Sequence, residues 1–257
     1  MSLARDIKVV KRRLDDYIWR DRSLPLVRLR QILKRDFASF PRVAIIGGLV
    51  RDLARKGPAG FRSDVDLVIE APSQDVADLA ARLNAEPNRF GGFGYHSTHW
   101  KVDFWALEST WALTSGHVNV ARLSDLTQCT FFDCDAILYD LKSRTIACRE
   151  DYLDGLRRGE IEINLLPNPS TLGNLLRSIR RLLLWNVRAG PRLRKFITEA
   201  LDEEAFCAIR ATERAVYPNP VLGRVYNEME LYRYLFDMNE RVRIDLSFAI
   251  QRTLPGL

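Results

Sequence analysis

The chain has 257 residues, 47% of them apolar and 28% charged. This is ordinary for a globular protein and long enough for one large domain or two modest ones. The composition excludes a low-complexity or intrinsically disordered chain, and no apolar run approaches membrane-spanning length. A net charge of +6 gives mild support for a polyanionic partner.

The N-terminus is charged from Arg5 onward, with no signal-peptide core. The cysteines Cys129, Cys134, Cys148 and Cys207 form no Cys-x-x-Cys pair, and His96, His99 and His117 complete no zinc set. A soluble, cytoplasmic protein with reduced thiols and no membrane contact is expected.

Apolar residues at Leu3, Ile7, Val10, Leu14 and Ile18 predict a helix over Leu3–Arg20. Ser23 and Pro25 open a second helix, striped by Leu26, Leu29, Leu33, Phe37 and Phe40 and ended by Pro41. Together they predict a hairpin, residues 1–40, that packs on the next domain or supports a dimer. The alternative gives Lys11, Arg12, Arg13, Arg28, Arg30 and Arg35 to guiding RNA.

Val43–Ile46 is a short apolar run, as in a strand buried on both faces. Gly47-Gly48 then permits a sharp turn, and Leu49–Lys56 reads as a helix whose N-terminus favours a phosphate over the two glycines. Gly57–Ser63 reads as a loop. In the following strand Asp64 and Asp66 share one face, and Val65, Leu67 and Ile69 the other. Two carboxylates this close raise each other's pKa, which a divalent cation reverses. Mg2+ takes oxygen ligands and often only one or two carboxylates plus substrate phosphates, so the order phosphate turn, helix, loop, metal strand suits two-metal phosphoryl or nucleotidyl transfer.

A helix with Val76, Leu79, Ala80 and Leu83 on one face follows Ala71-Pro72-Ser73. Glu86–Thr98, with Gly91-Gly92-Phe93-Gly94, reads as a mobile loop. Trp100–Leu107 is strand-like and carries Asp103, which is either salt-bridged to Lys101 or an arginine, or a third carboxylate of a metal site. Strands are expected at Ala136–Tyr139, Thr145–Arg149 and Glu160–Leu166, with a domain boundary at Pro167-Asn168-Pro169-Ser170. Helices follow over Thr171–Val187, Pro191–Ala200, Asp202–Thr212, Val221–Phe236 and Ile244–Thr253. On the first of these Arg177, Arg180, Arg181 and Arg188 form either a solvated basic face or a phosphate or RNA surface.

The run Gly47-Gly48-Leu49-Val50-Arg51-Asp52 followed by Asp64-Val65-Asp66 resembles the head domain of the polymerase-beta-type nucleotidyltransferases. Its GGLVRD form is most similar to the CCA-adding enzymes and bacterial poly(A) polymerases. The gap between Gly48 and Asp64 is slightly longer than the family pattern, with the extra residues in Gly57–Ser63. The resemblance does not cover the N-terminal helices.

The resemblance implies an α/β (α+β) fold: a nucleotidyltransferase head with a mixed sheet at 41–167, flanked by helices at 1–40 and a helical neck domain at 168–257. It makes Asp64, Asp66 and Asp103 the metal-binding catalytic carboxylates, with Asp103 on the next antiparallel strand. Two Mg2+ ions are the expected cofactors and an NTP, with ATP expected, the substrate. Gly47, Gly48, Arg51, Asp52, Arg177 and Arg180 become the nucleotide-binding residues, with Arg51 pairing to phosphate or to Asp52.

The sequence departs from the family in three places. Cys129 and Thr130 replace a doubled arginine, Asp135 stands at an asparagine position, and Gly173 and Asn174 replace the two acids of the base-reading motif. The implied activity is transfer of a nucleoside monophosphate to an acceptor hydroxyl, foremost an RNA 3′ end such as that of tRNA. A small-molecule or protein acceptor, and a catalytically silent nucleotide- or RNA-binding module, are the alternatives.

Overall fold

The structure, a computed structural model, describes residues 2–61 and 64–237. Arg62 and Ser63 of the expected loop, and the helix expected over Ile244–Thr253, lie outside the described residues. The chain divides into two compact units, Met1–Arg158 with Asn164–Pro169, and Gly159–Ile163 with Ser170–Leu257.

In the first unit, α1 (Ile7–Asp15) and α2 (Leu24–Ile32) each widen into a π-helical turn, Asp16–Arg20 and Leu33–Phe37. Asp6 caps α1, its Oδ1 accepting from the Val9 N–H at 2.8 Å. There follow β1 (Val43–Ile46), α3 (Gly48–Lys56), β2 (Val65–Ile69), α4 (Ser73–Leu83), β3 (Glu86–Pro87), β4 (Phe93–His96) and β5 (Lys101–Ala106). The unit continues with α5 (Trp111–Thr114), β6 (Ile137–Asp140), β7 (Ile146–Cys148) and α6 (Tyr152–Arg157).

The seven strands make one sheet in the order β3-β4-β5-β2-β1-β6-β7. Every pair is antiparallel except β2 with β5, so the sheet is mixed, as expected. Val43–Ile46 is buried along its whole length, which a strand covered on both faces requires.

The two faces carry two cores. Val10, Leu14, Leu29 and Phe37 of the N-terminal helices join Leu49 and Leu53 of α3 against Ile45, Leu67, Phe104 and Tyr139 of the sheet. A smaller cluster on the other side contains Ala44, Ile46, Val68, Leu123, Leu126 and Leu138. The N-terminal helices are therefore part of the sheet's own core.

Their basic residues serve the fold. Arg13 Nη1 donates to the carbonyls of Leu53 and Ala54 in the last turn of α3, at 2.9 and 3.2 Å, where a cation also meets the negative end of the helix dipole. Lys11 pairs with Asp15 at 2.6 Å and Arg35 with Asp36 at 2.7 Å, and Arg30 donates to the carbonyls of Ile18 and Asp21.

Two expectations fail here. Glu86–Thr98 is a hairpin, β3 with β4, whose turn Asn88 closes by accepting from the N–H groups of Phe90 and Gly92. Such a side-chain mimic of a backbone turn needs no apolar alternation to form. The strand expected over Glu160–Leu166 is only β8 (Glu160–Ile161), because the chain changes unit beyond it.

The second unit is helical apart from one short pair of strands. It holds β8, α7 (Thr171–Trp185), β9 (Arg188–Ala189), α8 (Pro191–Ala200), α9 (Glu203–Val216) and α10 (Glu228–Phe236), with β8 parallel to β9. The single helix expected over Val221–Phe236 is divided into a 3-10 turn at Leu222–Arg224 and α10, which Asn227 caps through the Glu230 N–H. No described helix is long and apolar enough to cross a membrane.

Candidate active site

Period-two alternation sorts the middle of the sheet. In β2 and β5, Val65, Leu67, Val102 and Phe104 point into the larger core. Asp64, Asp66, Lys101 and Asp103 therefore share the opposite face. Asp66 is in register with Asp103 across the parallel pair and with Ile46 across the antiparallel one. The partner strand of the Asp-x-Asp pair thus runs parallel to it, not antiparallel. The connection from Glu70 to Trp100, through α4 and two strands, is long enough for the crossover a parallel pair requires.

Lys101 sits among the acids. Its Nζ donates to Asp64 Oδ2 at 2.7 Å and to Asp103 Oδ2 at 3.2 Å. Burial alone would depress the ammonium's pKa, but these two hydrogen bonds and charges raise it. Asp66 makes no hydrogen bond or ion pair among the described residues. Burial first, then the charges of Asp103, Asp64 and Asp135, push its carboxyl up to about 7 against the pull of Lys101. On β4, Gly94 stands opposite Asp103. A Cβ there would come within 3.1 Å of Asp103 Oδ1, so glycine leaves that carboxylate its room.

The diglycine turn follows directly from β1. Gly47 has φ 69° and ψ −117°, a conformation only glycine adopts without strain. A Cβ on it would meet nothing within 4 Å, so backbone angle rather than crowding demands glycine here. Its own N–H donates to the Ile137 carbonyl at 3.0 Å and is not offered to a ligand. Helix geometry instead leaves the N–H groups of Gly48, Leu49 and Val50 without carbonyl partners inside α3.

Arg51 and Asp52 are 7% and 6% exposed. Arg51 Nε donates to Asp52 Oδ1 at 2.9 Å, and its Nη1 to Asp135 Oδ1 at 2.5 Å. Of the two partners expected for Arg51, phosphate or Asp52, the structure shows Asp52 and adds Asp135. This trio, two of its members buried, ties α3 to the turn that leads into β6. Cys129, where the resemblance expects an arginine, has its thiol pushed up to about 11 by burial and then by Asp125, so a neutral thiol stands at that position.

In the second unit Arg177 is exposed on α7, its Nε donating to the Gly173 carbonyl at 3.2 Å. Arg180 bonds Glu213, donates to the Asn219 carbonyl at 3.2 Å and lies 3.9 Å over the Tyr217 ring. Its guanidinium is engaged within the fold.

The donor set fits a hard divalent cation. Three carboxylates share one sheet face, and the pressure on Asp66 to protonate, from burial first and then from the neighbouring acids, is one that such an ion relieves. Among the described residues no three ligating side chains stand ready-made as a metal cage, and Lys101 spans two of the three acids. Lys101 and Asp135 were visible in the sequence as charged residues near the motif. The Lys101–Asp103 pair is one of the two readings the sequence offers for Asp103, while the reach of Lys101 to Asp64 and the place of Asp135 emerge only from strand register and from the turn before β6.

No family model and no curated protein sequence matches the chain. Among solved structures it is similar to a CCA-adding enzyme in complex with CTP, with TM-score 0.49 and 19% identity over 78% of this chain and 45% of that one. It is also similar to a tRNA nucleotidyltransferase complexed with a primer tRNA and an incoming ATP analogue, with TM-score 0.45 and 21% identity over 88% of this chain and 63% of that one. A third is the Bacillus stearothermophilus CCA-adding enzyme in complex with CTP, with TM-score 0.45 and 18% identity over 72% and 45%. The chain spans 45 to 63% of the length of these structures.

Proposed function

We propose that the chain is a Mg2+-dependent nucleotidyltransferase that moves a nucleoside monophosphate, AMP in the first instance, from an NTP to an acceptor hydroxyl. The observation that carries this reading is the register of Asp66 with Asp103, with Asp64 on the same face and the Gly47 turn one residue beyond Asp66's other partner, Ile46.

Asp64, Asp66 and Asp103 would hold the cation. When bound, Mg2+ supplies charge neutralisation for the triphosphate and lowers the pKa of the attacking hydroxyl. The N–H groups at the start of α3 and the helix dipole receive phosphate oxygens. Gly47 lets the backbone approach closely, and the Arg51–Asp52–Asp135 trio fixes α3 in place. The hydroxyl oxygen attacks the α-phosphorus and loses its proton to water. The bond from the α-phosphorus to the bridging oxygen breaks, and pyrophosphate leaves.

An RNA 3′ end is the acceptor we favour, on the GGLVRD resemblance and the net charge of +6. The test is incubation with Mg2+, each labelled NTP and total RNA, with and without a small-molecule extract. Label is expected in RNA, with salt-sensitive RNA binding. Label in the small-molecule pool would move the acceptor, and label in neither pool would sink the reading. Asp66→Asn should lower incorporation by about a thousand-fold, several kcal/mol of lost transition-state stabilisation. It should raise the melting temperature, because it removes the most strained charge of the cluster.

A further inference from the structure

Lys101 is a residue that the nucleotidyl-transfer chemistry does not call for, yet it lies at the centre of the acidic cluster. Its ammonium bridges Asp64 and Asp103, 2.7 and 3.2 Å away, on the face that also carries Asp66. The three side chains are partly open to solvent, 40% for Lys101, 43% for Asp64 and 25% for Asp103, so the bridge is accessible to an incoming ion. Across the sheet, β4 places His96 opposite Lys101 and Gly94 opposite Asp103, so no further acid faces the ammonium from that strand. Arg51, at the start of α3, is already bound to Asp52 and Asp135.

We propose that Lys101 is an internal counter-cation: it holds Asp64 and Asp103 together in the metal-free protein, and a divalent ion binds only by displacing its ammonium. The proposal rests on the nucleotidyl-transfer reading. One cation position cannot serve both charges, since an ammonium within hydrogen-bond distance of two ligand oxygens occupies the directions an ion would use. Three consequences follow. The carboxylates are kept from splaying apart by their own repulsion. The affinity for metal alone is weakened. The released lysine becomes a mobile cation beside the phosphates, in a chain that has Cys129 and Thr130 where the resemblance expects two arginines. Lys101 acts through the carboxylates and is a positioning residue.

The test is Mn2+ binding, read by electron paramagnetic resonance without nucleotide, at fixed pH and ionic strength. Wild type, Lys101→Met, Lys101→Gln and Asp66→Asn are compared, with circular dichroism melts to show that each is folded. Both lysine variants should bind Mn2+ about ten-fold more tightly than wild type, as expected on removing one positive charge next to a divalent ion in a partly hydrated site. Their KM for NTP should rise by a similar factor.

Equal or weaker Mn2+ binding in both lysine variants, with binding still lost in Asp66→Asn, overturns the role of Lys101 and leaves the carboxylate site standing. Binding that Asp66→Asn does not weaken, or no binding in any variant, overturns the metal site and the lysine's role together.

Discussion

A carboxylate in this cluster is governed less by its own chemistry than by what its neighbours leave it. Asp103 shows this through Gly94. An alanine there would bring a Cβ to 3.1 Å from Asp103 Oδ1, and the nearer flexible partner is the carboxylate itself. Asp103 has to give by a few tenths of an ångström, away from β4. Gly94→Ala should therefore cost little stability, within about 1 kcal/mol. It should lower incorporation by roughly ten-fold, because small displacements of a reacting group are expensive. Steady-state kinetics with a parallel thermal melt would check this; unchanged kcat/KM would show that Asp103 does not need its present position. Gly47 differs. There φ is 69°, so any side chain pays in backbone strain rather than in contact.

The strand ends opposite the site are held by charge. Asp140, at the end of β6, is 3% exposed. Its Oδ1 accepts from the N–H groups of Lys142 and Ser143, closing the turn into β7, and its Oδ2 accepts from Arg42 Nη2 at 3.0 Å. Arg42, just before β1, also pairs with Glu70 just after β2 at 3.3 Å. One guanidinium thus gathers three strand ends. Burial alone would raise the Asp140 carboxyl, but the Ser143 N–H, Arg42 and the Lys142 N–H outweigh it and hold it below the usual range.

A lowered folded-state pKa means the stabilisation is present above the unfolded value, near 4, and is lost as pH falls through the folded one. Asp140→Asn should cost about 2 kcal/mol at neutral pH and flatten the stability profile below about pH 4. Urea titrations across pH would show it. Wild-type and variant curves that stay parallel below pH 4 would rule the linkage out.

At this scale the sequence was most legible where periodicity is strict. β1, α3, β2 and β5 were predicted from apolar runs and alternation, and so was the sharing of one face by Asp64 and Asp66. The β3–β4 hairpin was hidden because glycine, proline and asparagine carry no alternation, while the Asn88 side chain makes the turn. The antiparallel direction that the resemblance implies for β5 does not hold, and local pattern could not correct it because strand direction here is set by a long connection. The pairing of Lys101 with Asp103 is one of the two readings the sequence offers for that acid, whereas its reach to Asp64 needs the strand register and lay beyond the sequence.

For the molecule as a whole, the division into two units decides what a side chain can be asked to do. The N-terminal helices, expected to pack on the next domain or to support a dimer, are built into the first unit's core through Val10, Leu14, Leu29 and Phe37. The second unit is organised about Glu213, a carboxylate with no exposed surface. It accepts from the N–H groups of Val221 and Leu222 at 3.0 and 2.8 Å, and from Arg180.

Resemblance assigns Arg180 to the nucleotide, whereas its contacts make it the counter-charge of a buried acid. Removing one member of such a pair strands the other, at about 3–5 kcal/mol. Arg180→Met should therefore appear as a large fall in stability, with little change in KM for NTP at a temperature where the protein stays folded. Adding Glu213→Gln, which keeps a hydrogen-bonding side chain but removes the stranded charge, should recover part of that loss, so the double variant is less damaged than the sum of the singles. Chemical denaturation of the four proteins measures the coupling. Additive losses, or a KM that rises without loss of stability, would return Arg180 to the substrate.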